Sequence, residues 1–395
     1  MTLASRRVLL VSGEYPPMHG GIGDYAERLV TALRDVGWDA AILTSRTAGN
    51  NPDPRVLPWI GRWDWSAVNE VARAALETDA DVVHVQYQTG AFGMHPAINL
   101  LPQLLRRAGR RVPVVTTFHD LLPPYLFPKA GPARRWVNRA LALGSRALVV
   151  TNELDRQALA RSPRLARRTV LIPIGSNLPS ITDADLATGR AALSIADGER
   201  AIGFFGFLTE DKGVDLLIEA LEQLPGHRPR LVVVGGTLGE TDIANGAYHH
   251  RMRQRLETSS VPVTATGYLP PDAASAALAV LDLIVLPFRH GASLRSGTLI
   301  AAVRSGAPVL TTDPSPGDSL APLVAGDSLW LVPPGDAASL ARGIDLLLSD
   351  PALRDRLRGA ARAATEAFSW DAIAARHADL YAQVLGVREA VSGTV

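Results

Sequence analysis

Three segments of this chain set glycine, hydroxyl or cationic side chains just ahead of an amphipathic stretch, an arrangement that can hold an anion. The first is Glu14-Tyr15-Pro16-Pro17-Met18-His19-Gly20-Gly21-Ile22-Gly23, followed by Asp24-Tyr25-Ala26-Glu27, which reads as a capping box opening a helix. Gly20, Gly21 and Gly23 ahead of a helix start let backbone N–H groups approach an anion that the helix dipole favours. The spacing is not G-x-G-x-x-G and no Walker lysine follows, which argues against a nicotinamide or P-loop site. A glycine-rich turn needed only for its geometry is the alternative.

The second segment, Phe204-Phe205-Gly206-Phe207-Leu208-Thr209-Glu210-Asp211-Lys212-Gly213, leads into a helix expected to run to about Leu224. Lysine occurs only at Lys129 and Lys212, so one of the two stands just before that helix. A cation there can neutralise a phosphate leaving group, and a solvated turn lysine is the alternative. The third segment is Pro287-Phe288-Arg289-His290-Gly291-Ala292-Ser293-Leu294-Arg295-Ser296-Gly297-Thr298, ahead of a helix that ends near Gly306-Ala307-Pro308. Arginine forks suit phosphate oxygens. Together the three loops suggest a ligand with several phosphate oxygens.

Among the histidines, His119 follows a strand-like run and precedes Asp120, Leu121 and two prolines, which puts it on a loop. His19 lies within the first glycine loop. His84 falls inside a strand pattern and reads as a satisfied core or cleft-edge residue. His249-His250 has no partners at metal-ligand spacing.

The elements that position these loops follow a strand, loop, helix rhythm. Val8–Val11, Ala40–Leu43, Val82–Val85, Val112–Thr116, Leu148–Val150 and Val170–Ile172 are short β-rich runs. The rhythm breaks over Leu178–Arg200 and restarts with Ile202–Phe205, Leu231–Val234, Val261–Val263, Leu283–Leu286, Val309–Leu310 and Leu329–Val332. Continuous apolar runs imply strands buried on both faces, hence parallel sheets covered by helices. The expected fold class is α/β, with two doubly wound Rossmann-like domains facing a cleft, where ligands gather at the strands' C-terminal ends.

Length and composition agree. The 395 residues suit two domains. With 47% hydrophobic and 20% charged residues, and a mean hydropathy of +0.10, the chain is ordered. The absence of Cys excludes disulfides, Cys-ligated metal and a thiol nucleophile. No apolar run approaches the roughly 18 residues that cross a bilayer. Arg6 and Arg7 precede only Val8–Val11 before Ser12, shorter than a secretory signal requires, so a cytoplasmic location is expected.

The net charge of +1 hides a balance of +8 over residues 1–177 and −7 over 178–395. Basic clusters in the first half comprise Arg106, Arg107, Arg110 and Arg111; Arg134, Arg135 and Arg139 with Trp136; and Arg161, Arg164, Arg167 and Arg168. Solvated helix faces and peripheral contact with an anionic membrane both account for them. No nucleic-acid module is present.

This set of motifs resembles the retaining, nucleotide-sugar-dependent glycosyltransferases of the GT-B fold (family 4-like). The resemblance rests on Glu14-Tyr15-Pro16-Pro17 with Gly20-Gly21-Ile22-Gly23, on Thr117-Phe118-His119-Asp120 as a "T-x-H" segment, and on Ile174-Gly175-Ser176-Asn177 before the linker. It continues through Gly206 to Lys212-Gly213 as the "G-R-L-x-x-x-K-G" loop, Gly267-Tyr268-Leu269 as the base-side turn, and Gly306-Ala307-Pro308-Val309 as "G-x-P-V". Phe368-Ser369-Trp370 with Tyr381 is similar to the terminal helix that returns to the first domain.

The resemblance implies an acceptor-side domain at 1–177 with the helix at about 371–395 crossing back, and a nucleotide-sugar donor domain at 178–370. It implies transfer to an acceptor hydroxyl of a sugar, lipid-linked glycan or small molecule, by a front-face mechanism needing neither metal nor cofactor. His119, Lys212 and Arg295 are the implied catalytic residues. The implied donor contacts are Gly20, Gly21, Gly23, Gly206, Phe207, Gly267, Tyr268, Leu269, Ser293, Ser296, Gly297 and Thr298.

Two departures mark a divergent branch. Phe207 stands where the family has Arg, and Ser293 and Ala301 stand where it has two Glu eight apart. In this branch "R-[RS]-G-[ST]-L", here Arg295-Ser296-Gly297-Thr298-Leu299, replaces the acidic motif. Arg295 is expected to compensate for Phe207, with backbone amides near Ser296 and Gly297 completing a diphosphate cradle. The missing glutamates leave two alternatives: a non-catalytic sugar-nucleotide-binding or regulatory subunit, and a phosphorylase or pseudo-glycosyltransferase on the same scaffold.

Overall fold

The structure, a computed structural model, describes residues 6–18, 20–49, 51–121, 131–179, 189–226, 228–235 and 246–386, with the backbone alone over 131–135. His19, Lys129, the Arg134 and Arg135 side chains and positions 387–395 of the expected terminal helix lie outside the described residues. The chain divides into two compact units, one of Met1–Ile174 with Trp370–Val395 and the other of Gly175–Ser369.

The first unit is built on seven parallel strands: β1 (Arg7–Ser12), β2 (Asp39–Ser45), β3 (Val56–Ile60), β4 (Val82–Tyr87), β5 (Val114–Phe118), β6 (Ala147–Val150) and β7 (Thr169–Leu171), in the order 3-2-1-4-5-6-7. Leu9 pairs with Ala41 on one side and Val83 on the other. Alternate residues of β1 feed separate cores. Leu9 and Val11 pack with Val85, Phe92 and Phe118, whereas Val8 and Leu10 pack with Leu29, Leu33 and Tyr381. Each such side chain removed from water contributes roughly 2 kcal/mol. The terminal helix Trp370–Leu385 buries Ile373, Ala374, His377, Leu380 and Tyr381, and it packs on the first helix, Gly21–Asp35.

The second unit holds six parallel strands: β8 (Ala201–Gly206), β9 (Arg230–Gly235), β10 (Val263–Gly267), β11 (Leu283–Leu286), β12 (Val309–Thr312) and β13 (Trp330–Val332), ordered 10-9-8-11-12-13. Its core joins Phe204, Val233, Val285 and Leu310 to Leu217, Leu221 and Ile344 from covering helices. In both units the strand order reverses beside the first strand, between β1 and β4 and between β8 and β11. Those are the switch points where α/β sheets bind ligands.

Several local expectations are corrected. The first helix starts at Gly21 with extended Gly20 as its N-cap, so no capping box opens at Asp24, and Gly21 and Gly23 belong to its first turn. Strand β3 escapes the sequence reading because Pro58 interrupts it. It sits at the sheet edge, where a missing N–H is tolerated. Strand β5 lies two residues later than expected, and β10 starts only after Pro262.

Candidate active site

In the second unit, the loops after β8 and β11 lock together at the switch point. Gly213 has φ +67 and serves as N-cap of the helix Val214–Glu222, and a Cβ there would overlap the Pro287 carbonyl oxygen. Only glycine fits such a left-handed turn pressed against backbone. Arg289 N–H donates to the Asp211 carbonyl at 2.9 Å. The Arg289 guanidinium pairs with Asp215, whose carboxylate also accepts from Tyr248 Oη at 2.7 Å.

Lys212 projects from this joint with its ammonium 4.7 Å from the centre of the Phe288 ring. The ring face attracts the cation without neutralising it. Among the described residues no carboxylate lies within ion-pair distance of Lys212. Burial lowers its pKa, and Asp211 opposes that shift.

The start of the helix Gly297–Arg304 belongs to the same group. A Cβ on Gly206 would lie 3.1 Å from Thr298 Oγ1, which sets Gly206 and the half-exposed Phe207 beside that helix start. Ser296 caps the helix, accepting from Leu299 N–H, and its own N–H donates to the Ser293 carbonyl at 3.0 Å. Arg295 is exposed, and Ser293 Oγ is buried with no hydrogen-bond partner among the described residues. Gly206, Phe207, Lys212, Ser296, Gly297 and Thr298 therefore converge, with Ser293 and Arg295 on the same loop. Gly267, Tyr268 and Leu269 stand apart, two strands away at the end of β10, with Tyr268 65% exposed.

The first unit repeats the joint. A Cβ on Gly13 would overlap the Ala91 carbonyl oxygen, which clamps the loop after β1 to the loop after β4. Nothing in the motif reading marked Gly13, because its neighbour across the switch point is remote in sequence. The glycines differ in surroundings. Gly21 is open, a Cβ on Gly23 would lie 3.1 Å from the Tyr15 backbone, and one on Gly20 would overlap the Glu14 carboxylate. Burial, followed by the charge of Asp24, raises the Glu14 pKa. Two carboxyl groups at one helix start make it a poorer anion site than its glycines alone imply.

His119 extends β5, its N–H donating to the Tyr87 carbonyl at 3.0 Å. Its Nε2 lies 3.0 Å from Gln86 Oε1, and its ring meets Tyr25 edge-on at 4.9 Å. Tyr25 in turn packs on Trp370. Behind Gln86, His84 is fully buried, with Nδ1 2.6 Å from Tyr381 Oη and Nε2 2.8 Å from Thr117 Oγ1. This agrees with its reading as a satisfied core residue. His377 lies beside His84 and holds the Ile373 carbonyl through Nδ1 at 2.8 Å.

Burial is the main cause that keeps all three rings neutral. It carries His119 and His377 down to about 4 and His84 well below its ordinary value. A neutral His119 can accept a hydrogen bond from a ligand hydroxyl. Sequence reasoning missed Gln86 and His377. The available signal was two polar residues at same-face positions 84 and 86 of a strand otherwise read as apolar.

Two doubly wound units, each with a clamped glycine joint at its switch point, have the two-domain α/β architecture of the GT-B fold. Residues 20–175 match the Glycosyl transferase 4-like domain and residues 187–364 match Glycosyl transferases group 1, and the chain belongs to the glycosyltransferases that combine the two.

The chain is 26% identical to glycogen synthase from Mycobacterium tuberculosis, covering 95% of this chain and 94% of that one. It is also 26% identical to the D-inositol 3-phosphate glycosyltransferase of Jonesia denitrificans, over 89% and 88% of the two. Among solved structures, sucrose-phosphate synthase from Thermosynechococcus elongatus superposes with a TM-score of 0.75 at 22% identity, covering 96% and 99%. Anabaena HepE in complex with UDP gives 0.72 at 19%, covering 96% and 100%.

Proposed function

We propose that this glycosyltransferase takes its sugar from a nucleoside diphosphate and passes it to an acceptor hydroxyl with retention of anomeric configuration. The observation that carries the reading is Lys212, an ammonium without a carboxylate partner among the described residues, fixed on Phe288 at the switch point of the second unit. The Gly297–Arg304 helix start, packed against Gly206 of the same loop, and the exposed Arg295 just before it supply further positive potential in this unit. The binding of UDP by HepE, a structural neighbour, is consistent with a diphosphate there.

In the proposed step the bond from C1 to the diphosphate oxygen breaks, and its electron pair stays on that oxygen. The acceptor oxygen bonds C1 from the same face and gives up its proton to the departing diphosphate. Lys212, Arg295 and loop amides stabilise the growing charge, which is the contribution a metal makes elsewhere. His119 accepts a hydrogen bond from a sugar hydroxyl, and the carboxyl-lined Gly20–Gly23 turn is assigned to acceptor hydroxyls.

A thermal-shift panel of UDP, GDP, ADP and dTDP with their hexose conjugates tests the reading. One base series is expected to raise the melting temperature, since a ligand that binds only the folded chain stabilises it. Product NMR with that donor, in the presence of EDTA, is expected to show the donor's own anomeric configuration. A flat panel removes the reading, and an inverted product removes the front-face step.

Among the described residues no helix is long and apolar enough to cross a membrane. We place the reaction in the cytoplasm. Trp136, 62% exposed on the helix Gly131–Gly144 together with exposed Arg139, is the surface for any peripheral lipid contact, which liposome sedimentation tests.

A further inference from the structure

We propose that Gln86 is the positioning residue for His119, fixing its proton on Nε2 so that Nδ1 presents a lone pair to the ligand. The proposal rests on the reading of His119 as a ligand contact. Gln86 is fully buried in β4, and register places it opposite Thr117 of β5. Its amide nitrogen lies 3.3 Å from each ring nitrogen of His84. Both of those nitrogens are already engaged by hydroxyls, those of Tyr381 and Thr117.

An amide oxygen turned toward His84 would find no proton left to accept, whereas the amide hydrogens meet the ring favourably. The oxygen is therefore the end that faces His119, and an oxygen can only accept. His119 must then donate from Nε2, and its Nδ1 holds the lone pair. The wedge behind Gln86 includes Tyr381, so the terminal helix Trp370–Leu385 holds the tautomer of a residue more than 250 positions earlier.

Histidine-selective 15N labelling of the full chain tests this without any substrate, with His119→Gln identifying the His119 resonances. At pH 7.5 the wild type is expected to show Nε2 protonated and Nδ1 bare. Gln86→Leu, which removes the acceptor, is expected to mix the two tautomers. Gln86→Glu keeps the acceptor and the tautomer, and its charge is expected to raise the His119 midpoint from about 4 by at least one unit. The other groups that bear on His119 are His84 on β4, His377 on the terminal helix and Tyr25 on the first helix, whose ring meets it edge-on.

A bare Nε2 in the wild type, an unchanged tautomer in Gln86→Leu, or an unmoved midpoint in Gln86→Glu each overturns the proposal. Should Gln86→Leu fail to fold, the midpoint in Gln86→Glu decides. With the donor that scores in the panel, Gln86→Leu is expected to lose about tenfold in kcat/KM, and Gln86→Glu to recover most of it at pH 8. If His119→Gln turns over normally, the ligand role of His119 falls while the tautomer result stands by itself.

Discussion

Acid should loosen the first unit through its buried histidines, and His377 allows the size of the effect to be worked out. Burial holds its pKa at about 4, against 6.5 for an exposed imidazole. The unfolded chain therefore binds the extra proton between those values, and stability falls as pH drops through 6.5 and levels below 4. The full gap of about 2.5 units corresponds to a ceiling of roughly 3 kcal/mol. Between pH 7 and pH 5 alone, the expected loss is about 2 kcal/mol for this one group.

Six of the seven tryptophans lie in the first unit, so intrinsic fluorescence during urea unfolding reports mainly on that unit. His377→Gln lowers stability at every pH but removes the titration. The drop in unfolding free energy from pH 7 to pH 5 should be smaller in this variant by about 2 kcal/mol. Parallel pH dependence in the two proteins would show that His377 does not enter the folded state as a desolvated neutral ring.

Other outcomes follow from the second unit. Lys212→Met should fold normally, cost a hundredfold or more in turnover on the order seen when a charge-stabilising group is removed, and abolish the thermal shift from the preferred nucleotide sugar. Arg295→Ala should weaken donor binding and turnover together by about tenfold, the worth of one charge-assisted contact, and a loss confined to acceptor KM would count against its compensation for Phe207. Gly213→Ala should lower stability by at least 1–2 kcal/mol, roughly the left-handed backbone cost alone, and part the two loops that hold Lys212, which urea unfolding and the nucleotide panel would both register.

Much of the scaffold was legible because burial on both sheet faces writes itself into runs such as Leu283–Leu286. The two sheets, the loops after β8 and β11 and the position of Lys212 all followed from such runs with the glycines between them. What escaped was tertiary in origin. Gly13 and Gly213 are dictated by carbonyls at Ala91 and Pro287, each more than 70 residues away, and only Gly213 belonged to a motif. The start of the first helix was misplaced because Asp24 and Glu27 satisfy a capping pattern that the extended Gly20 pre-empts. Gln86 was invisible as a candidate because its partner His119 comes from the end of β5, more than 30 residues on, and the group behind its other partner, His84, is Tyr381 of the terminal helix.

The order of synthesis follows from the return of Trp370–Leu385 to the first unit. Residues 175–369 form an insertion, and a ribosome completes that whole lobe before the last helix of the earlier lobe exists. Until then Tyr25, Trp38 and His84 lack the partners that Trp370 and Tyr381 supply. The amino-terminal lobe should therefore mature last, and a chain stopped at residue 369 should present an apolar scar to chaperones while its later lobe is already closed.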